Sequence, residues 1–325
     1  MSPNYTRLTG ALLSGLLLLQ PASAVPGVMH PRASSTSSAS SSPSATGVCN
    51  GNADFCNRSY SNITFVGSHD SPFVGSLPQQ NQNINITAQL NMGIRFLQAQ
   101  THHSITDDSV LELCHTSCFL EDAGTLQSYL ETLKSWLDAN PNEVLTLLLT
   151  NGDSVDISEF GDTFSAAGVD SYAFVPTSAG ETLGISDWPT LGSIISGGKR
   201  LVVFLDYGAD TNTVNYINDE FAYYFETPYD VTDATFSNCS IDRPPGASAD
   251  GRMYLINHYL DVDIVGADVP DRGAAAHTNA AMGNGSIGAN AALCEGLYGR
   301  APNVVLCDFV DQGQLMQAQA NLDSL

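Results

Sequence analysis

Positive charge is scarce in this 325-residue chain: 11 lysines and arginines stand against 34 aspartates and glutamates, and the lysines are Lys134 and Lys199 alone. Nucleic-acid binding depends on clustered cations that displace counterions, so no nucleic-acid partner is expected. An anionic membrane surface would repel the chain for the same reason. Beyond the N-terminal end there is no long apolar run, and therefore no expected transmembrane segment. The seven cysteines contain no pair of CxxC elements, which argues against a zinc framework.

The N-terminal end reads as export machinery. Within residues 1–24, Arg7 supplies a positive start, Ala11 to Leu19 an apolar stretch too short to span, and Ala22-Ser23-Ala24 a small-residue cleavage site. Residues 25–47 form a Ser/Thr-rich leader, including Ser34-Ser35-Thr36-Ser37-Ser38, whose composition cannot pack a core. Residues 48–325 are expected to form one folded domain of a secreted protein. Exported cysteines pair. Proximity favours Cys49–Cys56 and Cys114–Cys118, which leaves Cys239–Cys294 and a core thiol at Cys307. Sequons begin at Asn57, Asn62, Asn85, Asn238 and Asn284, in keeping with a secreted glycoprotein.

Apolar runs alternate with helical patterns. Strands are expected at 63–67, 94–100, 144–150, 201–206, 221–225, 253–257 and 303–308. Runs such as Val144-Leu145-Thr146-Leu147-Leu148-Leu149 are apolar on both faces, as parallel strands under helices must be. Helices are expected over Thr125–Asn140, where Leu126, Tyr129, Leu130, Leu133, Trp136 and Leu137 share a face, over Thr190–Ser196, and over Gln312–Leu322. Most of 210–251 and of 267–292 reads as long loops. Helix, short turn and buried strand is the repeating unit, so the fold class is α/β, a single TIM-type (β/α) barrel with room for distortion or incompleteness.

Barrel chemistry is built at the C-terminal ends of strands. Gly67-Ser68-His69-Asp70-Ser71 follows the first strand directly. His115 lies between Cys114 and Cys118, in a loop that a disulfide would hold. On the strand from Ile94, alternation puts Gln98 and Gln100 on one face and Arg95 on the other, where an ion pair suits it better than a phosphate. Asp206 with Tyr207, Glu226 with Tyr229, and Asn257-His258 also end strands and could bind a polyol headgroup. His102 and His103 are expected in a solvent-facing loop, His30 in the leader and His277 in a flexible loop, all without a role.

These motifs, in this order, resemble the X-domain of phosphatidylinositol-specific phospholipase C, and more narrowly the fungal secreted phospholipase-C-like phosphodiesterases. The similarity covers roughly Cys49 to Leu315. It rests on Gly67 to Ser71, Gly93-Ile94-Arg95-Phe96-Leu97, Leu113-Cys114-His115, Asn140-Pro141-Asn142-Glu143-Val144-Leu145-Thr146-Leu147, and Val304-Val305-Leu306-Cys307-Asp308-Phe309. The resemblance implies a paired-histidine phosphodiesterase acting on a phosphoinositide- or glycerophosphodiester-type lipid or headgroup. His69 would be the base for an attacking hydroxyl and His115 its partner, protonating the leaving alcohol or stabilising the phosphoryl oxygens. Asp70 would assist at the phosphate, and Asp308 would orient His69. One departure stands out. Where metal-independent relatives place an arginine, and calcium-dependent ones carboxylates, this chain has Gln98 and Gln100. Arg243 and Lys199 are the cations available to compensate. No cofactor is expected; calcium would have to draw on Asp70, Gln98, Gln100 and Asn151. The alternative is a catalytically silent barrel that binds glycans or phospho-sugars at the cell wall.

Overall fold

The computed structural model describes residues 47–176, 181–264 and 266–325. The expected signal peptide, and the leader up to Thr46, lie outside the described residues.

Twelve strands and eight α-helices follow in chain order. The strands are β1 (Phe65–Ser68), β2 (Phe96–His103), β3 (Leu111–Cys114), β4 (Asp122–Thr125), β5 (Leu145–Asn151) and β6 (Leu201–Leu205). They continue with β7 (Ile217–Asp219), β8 (Tyr224–Glu226), β9 (Met253–Asn257), β10 (Asp261–Ile264), β11 (Ala267–Pro270) and β12 (Val304–Cys307). The helices are α1 (Ile86–Met92), α2 (Leu126–Ala139), α3 (Ile157–Ala166), α4 (Leu191–Ser196), α5 (Glu220–Tyr223), α6 (Ala275–Thr278), α7 (Ile287–Tyr298) and α8 (Leu315–Leu322).

Eight strands pair in parallel in the order β7-β6-β5-β2-β1-β12-β9-β8. No ladder joins β7 to β8 among the described residues, so the barrel is incomplete on that side. Side chains alternate across each strand and feed two apolar clusters. Leu145, Leu147 and Leu149 pack with the buried faces of α2 and α3; Leu148 joins Phe96, Phe204, Tyr60 and Trp188 in the other. Gly67 is needed for that second layer, because a Cβ there would meet the Leu306 side chain at 2.9 Å.

Helix α2 begins where Thr125 accepts a hydrogen bond from the Ser128 backbone N–H. It ends before Pro141, and all six of its predicted apolar positions are buried. The predicted strand at 221–225 is corrected: Asp219 caps a short helix, α5, and pairing resumes only at Tyr224. The loop expected over 267–292 is also corrected, since it holds β11, α6 and the start of α7. Helix α7 hides from pattern reading because its buried face includes Asn290 while Leu293 and Leu297 are exposed. His102 and His103 lie on β2 rather than in a loop, 3.0 Å from Asp153 and Glu159 respectively.

Disulfides link Cys49–Cys56, Cys114–Cys118 and Cys239–Cys294, and Cys307 is a buried thiol. Arg95 pairs with Glu143 at 2.7 Å and stacks over Trp136. The five sequon asparagines are all exposed. Among the described residues, no helix is long and apolar enough to cross a membrane.

Candidate active site

Strand register creates the first contact. Ser68 of β1 lies beside Cys307 of β12, so the next residues, His69 and Asp308, leave the sheet together. His69 Nδ1 stands 2.9 Å from Asp308 Oδ1, which also accepts a 3.1 Å hydrogen bond from Asn81 Nδ2. With Nδ1 held there, Nε2 is the ring nitrogen left for chemistry. The Tyr259 ring lies flat on the imidazole, 3.6 Å between centroids and 3° between planes.

The second contact depends on β2 running past the barrel rim and pairing with β3 as an antiparallel hairpin. The hairpin delivers the Cys114–Cys118 loop, in which Thr116 N–H donates to Gln100 Oε1 at 3.0 Å. His115 Nε2 then lies 3.3 Å from Asp70 Oδ2, and His69 Nε2 lies 3.5 Å from the same oxygen. Two imidazoles from distant stretches thus flank one carboxylate. Asp70, Thr116 and Phe309 all hold positive φ, at 43°, 63° and 47°. Such conformations cost roughly 1–3 kcal/mol each in non-glycine residues and persist where surrounding contacts enforce them.

Electrostatics bind the group together. Burial alone would lower the His69 imidazole, but the charges of Asp70 and Asp308 outweigh it and hold the ring up at about 9. His115 is raised too, its hydrogen bond to Asp70 prevailing over burial. Asp70 is fully buried yet sits below the usual carboxylate range because both histidines oppose desolvation.

A cavity of about 460 Å³ opens over these groups. Its walls include His69, Asp70, His115, Gln98, Gln100, Asp206 and Tyr229. Burial raises Asp206 to about 6. Four expected residues are not on its walls. His258 is fully buried, with its ring nitrogens 2.9 Å from Asn290 Oδ1 and the Thr278 carbonyl. Alternation past β9 turns it away and presents Tyr259 instead. Glu226 is buried against Arg243 and Asn257. Asn151 spends its amide on Val155 and Tyr207. Asp308 supports the site from behind, through His69.

The calcium set does not fit. Gln98 Oε1 accepts the Asp70 backbone N–H at 2.7 Å, and Gln100 Oε1 is taken by Thr116. Gln100 turns its nitrogen, not its oxygen, to Asp70 Oδ2 at 2.7 Å. The Asn151 oxygen accepts from Val155. Calcium takes about 6–8 oxygen ligands; the three amide oxygens of the set are engaged, and Asp70 Oδ1 alone is left without a hydrogen-bond partner.

Sequence reading missed Asn81, Tyr259 and the acidic wall of Asp230, Asp261 and Asp268. Gln80-Asn81-Gln82 did carry a signal, since three successive buried amides require a polar network.

The family model described as PI-PLC X 1 matches residues 55–323. "PI-PLC X domain-containing protein 1" of Arthroderma benhamiae is 54% identical over 279 residues, covering 86% of this chain and 90% of its own. An "Uncharacterized secreted protein" of the same organism is 43% identical over 296 residues, covering 87% of this chain and 65% of its own. Among solved structures, the phosphatidylinositol-specific phospholipase C of Listeria monocytogenes aligns with a TM-score of 0.54 at 14% identity, covering 83% of this chain and 94% of its own. A mutant of the Staphylococcus aureus enzyme gives 0.54 at 17% identity, with the same coverages. A match along most of the length, with a relative more than half identical, makes this chain a member of the PI-PLC X-domain family.

Proposed function

We propose that this protein is a secreted phosphoric diester hydrolase that cleaves a phosphoinositide- or glycerophosphodiester-type substrate by paired-histidine acid–base catalysis. The observation that carries this reading is the approach of His69 and His115 to one Asp70 oxygen, at 3.5 and 3.3 Å, in a shared cavity. The bacterial structural neighbours are phosphatidylinositol-specific phospholipases C, which supports the reaction class. For export, the support is the secreted relative and the three disulfides.

In this mechanism His69 Nε2 takes the proton of the attacking hydroxyl while Asp308 stabilises the resulting imidazolium. His115 gives its proton to the leaving alcohol, and Asp70 keeps both rings turned toward the phosphate. The test is turnover of glycerophosphoinositol and phosphatidylinositol by the purified protein. Binding without turnover would favour the silent, phospho-sugar-binding alternative that the uncharged Gln98 and Gln100 motivate.

The base must start neutral, and His69 in the free protein holds its proton up to about pH 9. kcat/KM is therefore expected to climb with pH across the neutral range, with the apparent value belonging to the coupled pair. A profile flat from weakly acid to weakly alkaline pH would contradict this. The stability effect has the opposite sign. A raised imidazole stabilises the fold below its unfolded value, and that contribution fades as pH rises toward about 9. EDTA and millimolar calcium are both expected to leave turnover and Tm unchanged, because a native-state ligand would raise Tm by mass action.

A further inference from the structure

A phosphodiester is an anion, and its transition state gathers charge on the oxygens around phosphorus. Such charge is stabilised by cations fixed in a water-poor cavity. Gln98 and Gln100 are neutral, and Lys199 donates to the Ser171 carbonyl outside the cavity. Of the lysines and arginines among the described residues, Arg243 alone lines the cavity.

We propose that Arg243 is the anion-recognising residue of this pocket, its guanidinium meeting the non-bridging phosphate oxygens while His69 and His115 move the protons. This rests on the phosphodiesterase reading. The residue is held for the task. Arg243 Nε donates to Glu226 Oε2 at 3.0 Å, and Nη2 donates to the same oxygen. Asn257 Nδ2 donates to that oxygen as well, at 3.0 Å, so Glu226 cannot swing away. The guanidinium lies over the Tyr229 ring at 4.6 Å, and Tyr229 is itself a wall of the cavity. Nη1 has no partner among the described residues, which leaves a donor free for a ligand.

The counter-ion is arranged so that the positive end is the exposed one. Glu226 and Glu220 are both buried, and burial together with the Glu226 charge keeps Glu220 well above the usual carboxylate range. The field of Arg243 acts on Asp206, Asp230 and Tyr259, all on the cavity wall, and Tyr259 stacks on His69. The reaction stays balanced. The attacking O–P bond forms as its proton passes to His69, and the P–O bond to the leaving alcohol breaks as His115 supplies a proton. Arg243 neither gains nor loses one.

The test uses the full chain, with glycerophosphoinositol for turnover and inorganic phosphate as a binding probe read by Tm. The double variant Arg243→Met/Glu226→Gln removes the cation and its counter-ion together, so no buried charge is stranded. Its kcat is expected to fall about 10²- to 10³-fold with a smaller change in KM. Phosphate should no longer raise Tm. Arg243→Lys keeps a charge for Glu226 but loses the planar fork, and should fall at least about tenfold in kcat. Parental turnover with an intact phosphate response, in a folded double variant or in Arg243→Lys, would overturn the assignment. Should the parent cleave no phosphodiester while the phosphate response still depends on Arg243, the hydrolase reading fails and the anion site stands.

Discussion

His69→Ala and His115→Ala are each expected to lower phosphodiester turnover by about 10²- to 10⁴-fold, the usual worth of one positioned acid or base. The geometry makes the two losses distinct. Removing His69 takes away the ring that Asp308 and Tyr259 hold in place, and with it the acceptor for the attacking proton. Removing His115 leaves that dyad intact but strands Asp70 Oδ2 with His69 and Gln100. The alkaline climb of the pH profile should therefore survive in residual His115→Ala activity and vanish in His69→Ala. Steady-state assays at several pH values, with circular dichroism to verify folding, provide the check. Parental turnover in both folded variants would remove the catalytic proposal. Because the pair acts as a unit, the double variant should be little worse than the worse single one.

The second large effect separates stability from activity. Cys239–Cys294 closes a loop of sequence separation 55, and Cys114–Cys118 one of separation 4. By loop-closure entropy, removing them should cost about 4 and about 2 kcal/mol respectively. Cys239→Ala/Cys294→Ala is thus expected to lose more thermal stability while the folded protein turns over normally, since neither residue lies on the cavity wall. Cys114→Ala/Cys118→Ala should do the reverse. That bridge brackets His115, and the loop it closes also carries Thr116, the donor to Gln100. Loosening it frees the imidazole from its 3.3 Å approach to Asp70. Misplacement of this kind can cost about 10²-fold in rate. Tm and kcat measured on both variants decide the matter. Normal turnover in the Cys114→Ala/Cys118→Ala protein would show that the staple does not position His115.

Some of this was legible from residue order. The two-sided apolar strands could only be parallel and covered, and the spacing of Leu126 to Leu137 could only be a helix face. His69 could be placed at a strand end because an apolar run stops beside it. Gln98 and Gln100 stand out in the sequence as amides on an apolar strand face, but their task is not visible there. One holds the Asp70 backbone and the other the His115 loop, and both partners are remote in sequence. The strand-end position that singles out His258 does not tell it from Tyr259, because pleating decides which of two neighbours enters a pocket.

Local order along the chain thus sufficed for six of the seven expected strands and for the main helix, because each is specified by spacing or by side-chain type. Which groups would meet was settled only when β1 aligned with β12 and β2 overshot the rim to pair with β3. The His69–Asp308 contact, the shared Asp70 carboxylate and the place of Arg243 are products of register and closure. Those depend on how all the strands pack at once, and no single segment carries that information.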